Sequence, residues 1–170
     1  MRALATVASL AILSTGLIQH VPDTAVKAAF VARFPEFVTW PTADRPPTRP
    51  FGVCLSPSHP FGTKVAQAAN PTVRGRPIRV RTLGGGDGVD GCDVLFVAES
   101  DTNLLRRAQR LPILTVGDQP DFFQLGGIIN LRVIDHRVRF EVDLAQAREV
   151  GLSIDSQLLR LAAVVHGGRP

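Results

Sequence analysis

The period of the hydrophobic positions changes several times along the chain, and each change predicts an element. Val26, Phe30, Phe34, Phe37 and Val38 recur at helical spacing, with Asp23 placed to cap the helix start. Pro35 falls inside this pattern, where it should kink the helix or shift its end. Trp40-Pro41 stops it, and a proline-rich loop runs to Pro50. Phe51 to Leu55 reads as a short buried strand. A second helix starts at Pro60-Phe61-Gly62, runs to about Ala69 and is ended by Asn70-Pro71. Ile78, Val80 and Thr82 then alternate with Arg79 and Arg81, which predicts a strand over 78–83. Gly84 to Gly88 is a flexible loop. The unbroken apolar run Val94–Ala98 has the pattern of a strand covered on both faces, and Pro112–Val116 reads as another buried strand. Between them a helix begins at Asp101-Thr102 and ends near Arg110.

The clearest local pattern comes next. Ile128–Ile134 and Arg137–Asp143 flank Asp135-His136, which suits a two-residue hairpin turn. Pairing across that turn sets Val133 opposite Val138, Leu131 opposite Phe140 and Ile129 opposite Val142, all on one face. The other face carries Ile134 with Arg137, Arg132 with Arg139 and Asn130 with Glu141. Burial of the first face fixes the register, and the facing arginines argue that the second is wet or meets an acid. A helix over Leu144–Val150, stopped by Gly151, precedes a last helix from Ser153 with Ile154, Leu158, Leu161, Ala162 and Val165 on one side. Strand–helix alternation over 51–117 predicts parallel crossovers. The expected architecture is therefore α/β in three layers: a mixed, mostly parallel sheet flanked by helices, with an antiparallel edge hairpin.

Length and composition narrow the class. The 170 residues make one domain, and 45% hydrophobic content supports a buried core rather than disorder. Ala3 to Ile18 is apolar behind Arg2, a length that suits a signal-peptide core better than a membrane span. Residues 1–20 are therefore expected to be a leader, and 21–170 a single exported domain. The net charge of +4 raises the question of nucleic acid. The arginines are scattered, however, with one local run at Arg74, Arg76, Arg79 and Arg81 that reads as a solvated strand face. Tyrosine is absent and there is one tryptophan, so bases have little to stack on. Nucleic acid is not an expected partner.

Candidate chemistry is sparse. The glycine loop at 84–88 has no helix behind it and no Lys-Ser/Thr, so it is no phosphate cradle. No Gly-x-Ser-x-Gly elbow occurs. His20, His59, His136 and His166 are dispersed, and no Cys or His lies at zinc-ligand spacing. Neither a metal nor a cofactor is expected, and the chain reads as a binding protein rather than an enzyme. Asp118 follows a strand end, where α/β sheets bind ligands, and Gly126-Gly127 comes just after. These three are the candidate border of a small-molecule crevice. Cys54 and Cys92 make an even count, which suits a disulfide in an oxidising compartment without showing that the two meet.

An ordered set of segments resembles the YfiR-like periplasmic proteins over residues 25–163. It comprises Lys27-Ala28-Ala29-Phe30 with Trp40-Pro41, Val53-Cys54 with Pro60-Phe61-Gly62, and Gly75-Arg76-Pro77-Ile78. It continues with Cys92-Asp93-Val94, Leu114-Thr115-Val116-Gly117-Asp118, Gly126-Gly127-Ile128-Ile129, Val138-Arg139-Phe140-Glu141-Val142 and Gly151-Leu152-Ser153-Ile154. The resemblance implies an exported homodimeric regulator. Such a protein restrains a membrane-bound diguanylate cyclase by holding its periplasmic region, which keeps cyclic-di-GMP and biofilm output low. It also implies that Cys54 and Cys92 match the family's paired cysteines, a bridge worth about 4 kcal/mol of unfolded-state entropy. The second cysteine pair of some members is missing here, and Pro35 departs from the usual helix pattern. Phe30, Phe34 and Phe37 on the first helix are the candidate partner contacts, with core packing the competing reading for most of them. The alternative is a periplasmic ligand-sensing module built around Asp118 and Gly126.

Overall fold

A computed structural model describes residues 22–41, 46, 48–58 and 61–168. The expected leader, with His20, and His59 lie outside these. The first helix, α1 (Asp23–Arg33), is followed by a 3₁₀ turn over Phe34–Phe37 and the short strand β1 (Val38–Thr39). The helix ends earlier than its apolar spacing suggests because Pro35 has no N–H to donate to the preceding turn. Asp23 does not cap α1: it is the first helical residue, and Pro22 holds the cap position.

β2 (Phe51–Leu55), α2 (Gly62–Ala68), β3 (Thr72–Val73) and β4 (Arg76–Thr82) come next. β3 and β4 form a hairpin absent from the sequence reading. Its turn residues, Arg74 and Gly75, both have positive φ, of 50° and 78°, as a primed hairpin turn requires. After β5 (Val94–Val97), α3 (Thr102–Ala108) and β6 (Leu114–Gly117) comes the predicted hairpin of β7 (Ile129–Ile134) and β8 (Arg137–Asp143). Its register matches the expected one pair for pair, from Ile129 opposite Val142 to Ile134 opposite Arg137. Asp135 and His136 make the turn at φ of 49° and 58°.

α4 (Leu144–Glu149) is capped by Asp143, whose carboxylate accepts from the Gln146 N–H at 2.9 Å. The chain's end differs from the expected single helix. Ser153–Ile154 form β9, antiparallel to β1; only Ser156–Leu161 are helical (α5, capped by Asp155); and Val164–His166 form β10, parallel to β8. The 153–165 spacing is helical, but β1 and β8 offer open ladder edges, and Val164 and Val165 are β-branched.

The main sheet runs β10-β8-β7-β6-β5-β2-β4-β3, parallel from β4 through β7, so the fold is mixed α/β with a mostly parallel sheet. The hairpin lies toward one edge, flanked outside by β10. The apolar runs are buried on both faces, as read. Val53, Leu55, Val94, Phe96, Leu114 and Val116 face a large core with Ala28, Val31 and Ala32 of α1. Cys54, Leu95 and Val97 face a smaller one with Leu104, Leu105 and Ala108 of α3. Among the described residues no helix is long and apolar enough to cross a membrane.

Candidate functional site

The large core is not fully roofed. α1, the 3₁₀ turn and α5 stand apart over β8 and leave a groove of about 250 Å³. Val26, Ala29, Phe30, Phe34, Phe37, Phe140, Leu158 and Leu161 line it, with Arg33 on the rim. The floor is an aromatic cluster. The Phe30 ring stacks on Phe34 at 5.8 Å, and both meet Phe140, at 5.5 and 5.3 Å. Such contacts pin the rings and keep the floor rigid. Of the three expected partner contacts, Phe34 belongs to the core at 1% exposure, whereas Phe30 and Phe37 are half-buried groove wall. Leu161 is 66% exposed on the opposite lip, an apolar side chain that costs free energy in water unless something covers it. Arg33 is occupied by Glu36 at 2.9 Å, so the rim is close to charge-neutral. The last helix's apolar stripe was legible in the sequence; its meeting with α1 was not.

Asp118 sits at the carboxyl end of β6, where an α/β crevice would open, whereas Gly126 and Gly127 precede β7, which runs parallel to β6 with Val116 opposite Ile129, and so lie at the other end of the sheet. Asp118 is tied to Lys27 of α1 at 2.7 Å, with both side chains mostly buried. The glycines serve packing. A Cβ on Gly127 would lie 2.2 Å from the Phe122 ring, and one on Gly117 2.4 Å. The fully buried Phe122 is therefore clamped between two backbones, filling the space beside the strand end. A Cβ on Gly126 would meet the Gln109 side chain, which donates to the Leu125 carbonyl at 2.5 Å. None of the three lines the groove.

Cys54 and Cys92 are joined, with Cα atoms 5.6 Å apart. The bridge crosses from the fourth residue of β2 to the residue two before β5, on the face of the smaller core. Beside it lies a constellation the sequence reading did not single out. Asp93, fully buried, meets Arg49 at 2.6 Å and Arg76 at 3.2 Å, and accepts from the Gly52 N–H at 2.8 Å. Its backbone carbonyl accepts from the Trp40 indole at 3.2 Å. A buried carboxylate is tolerated only when paired in this way. Burial, then the like charge of Arg49, lowers the Arg76 guanidinium below its usual pKa. An acid directly before an unbroken apolar strand was the available clue. Arg74 and Arg76 correct the expected solvated face: Arg74 donates to the Val38 carbonyl and Arg76 to those of Arg49 and Pro50.

Among the described residues no three His, Cys, Asp or Glu side chains converge as a metal site would require. The chain matches the model of a family described as YfiR/HmsC-like over residues 24–163. No curated protein matches it.

Proposed function

The chain belongs to the YfiR/HmsC-like family, and from that membership we propose that it is a regulatory binding protein of the periplasm. In this reading residues 1–20 are an export leader and 21–170 one domain. The domain restrains a membrane-bound diguanylate cyclase by holding the cyclase's periplasmic region, and it works as a homodimer without catalysing a reaction.

The observation that carries the reading is the open apolar groove beneath α1 and α5. Its aromatic floor is held by packing, so a partner's apolar side chains meet a preformed surface. Half-buried Phe30 and Phe37 and exposed Leu161 are the contacts available to it. An amphipathic helix with apolar residues three and four apart would fit such a groove. The ligand-sensing alternative draws no support from the geometry, because Phe122 occupies the space beside Asp118 and Gly127.

The test is co-purification from membranes with the cyclase encoded beside the gene. Leu161→Glu should abolish capture while leaving the melting temperature within a few degrees, since Leu161 packs against little. Undiminished capture by that variant would remove the groove from the interface. Failure of the wild-type chain to retain any cyclase would overturn the regulatory reading itself.

A further inference from the structure

The outer edge of the sheet carries a second concave feature unrelated to the groove. β4 is paired with β3 only at Arg76 and Pro77. Beyond that hairpin, Arg79 and Arg81 line a cleft of about 250 Å³ together with Arg49, Asp90 and Gly91. Gly52 belongs to the same wall; a Cβ there would lie 1.9 Å from the Gly91 carbonyl oxygen, so the two backbones touch.

The guanidinium groups are incompletely used. Arg49 spends one terminal nitrogen on Asp93, and its buried Nε has no partner. Arg81 points one nitrogen at the Asp90 carbonyl and at Cys92 Sγ, 3.6 Å away. Among the described residues Arg79 makes no hydrogen bond or ion pair with any side chain. The one acid on the cleft wall does not neutralise them. The Asp90 carboxylate folds back against Gly88 and lies in no ion pair among the described residues, and Asp93 is already shared by Arg49 and Arg76. Four arginines (49, 76, 79 and 81) thus face two carboxylates (Asp90 and Asp93), leaving two positive charges in excess.

We propose that this cleft binds a phosphate group in its dianionic form, as inorganic phosphate or as the head of a small phosphomonoester. A dianion matches the excess charge, and three tetrahedral oxygens can each accept from one of Arg49, Arg79 and Arg81. Guanidinium forks hold such oxyanions in pairs of parallel bonds, where an ammonium would offer only a point charge. A carboxylate brings half the charge and would leave one guanidinium unpaired.

The experiment titrates the oxidised full-length mature chain with inorganic phosphate and with glycerol 1-phosphate, at constant ionic strength and pH 7.5, by calorimetry and thermal shift. Acetate and chloride serve as comparators, and vesicles containing phosphatidate form a separate arm. Both small phosphates should bind, and acetate should not. Arg79→Gln should weaken phosphate binding about tenfold or more, as expected for loss of a charge-assisted contact. Lys64→Gln, an equal charge change on α2, should leave it unaltered. Arg79 is exposed, so the variant's melting temperature reports that its fold is intact. Equal stabilisation by chloride or acetate would overturn the proposal, as would unaltered binding by Arg79→Gln. Binding to vesicles without binding of either small phosphate would also overturn it, by assigning the charge to a surface rather than a cleft.

Discussion

The two faces of the sheet solve the same problem differently. On one face a large core draws on α1, α2, α4, α5 and the hairpin, and it is dense enough in aromatic contacts to leave a groove open at its margin. On the other, α3 and the Phe122 loop cover a smaller core, and there the chain adds a covalent bridge. A small core buries less apolar surface and has less to set against chain entropy. A cross-link lowers that entropy in the unfolded chain instead. The side with surplus packing can keep apolar surface exposed for a partner, and the side without it is stapled.

The largest effect should come from the buried carboxylate at the margin of the large core, beside Trp40. Asp93→Ala strands Arg49 and Arg76 without their shared acid and frees the Gly52 N–H. Loss of one partner from a buried pair costs about 3–5 kcal/mol. Urea unfolding should show that loss, and a change below about 1 kcal/mol would mean the cluster is solvated. Next comes the bridge. Cys54→Ser with Cys92→Ser should cost about 4 kcal/mol in the chain-entropy model. Reductant should lower the wild-type melting temperature to match, and equal melting with and without reductant would show the staple to be dispensable.

The remaining effects are small by design. The tip of the hairpin extends past both cores: Arg132 lies opposite Arg139 there, and both are exposed. Glu141, on the same face opposite Asn130, lies 3.7 Å from the His166 imidazole. Arg139→Glu replaces a cross-strand repulsion with an attraction and should raise stability by about 0.2–1 kcal/mol. A loss on chemical unfolding would show that Arg139 has a partner. Leu161→Glu is expected to change stability least, within about 0.5 kcal/mol, while removing partner capture.

What could be read in advance follows from the range of the forces involved. The β7–β8 hairpin was legible to the residue because a two-residue turn and an alternating pattern are local. One face buries Leu131 and Phe140, and a slip of one residue would bury Arg132 and Arg139 instead. The β5 and β6 runs were legible for a related reason: only burial on both faces tolerates Val94-Leu95-Phe96-Val97. The 153–165 segment misled because its spacing suits a helix in isolation. The partners that turned its two ends into strands, Val38 and Glu141–Asp143, are distant in sequence.

The sites divide in the same way. Composition and spacing determined, without coordinates, an α/β class, a hairpin with fixed register and a pair of cysteines with no local partner. Tertiary structure alone decided that Cys54 meets Cys92 and that Asp93 gathers Arg49 and Arg76. It also decided that Gly127 packs against the Phe122 ring, and that Leu161 faces Phe30 across a groove. Each of these depends on residues far apart in sequence, brought together by β pairing and by filling space. Periodicity along a chain records which side of an element is buried, but not what it is buried against.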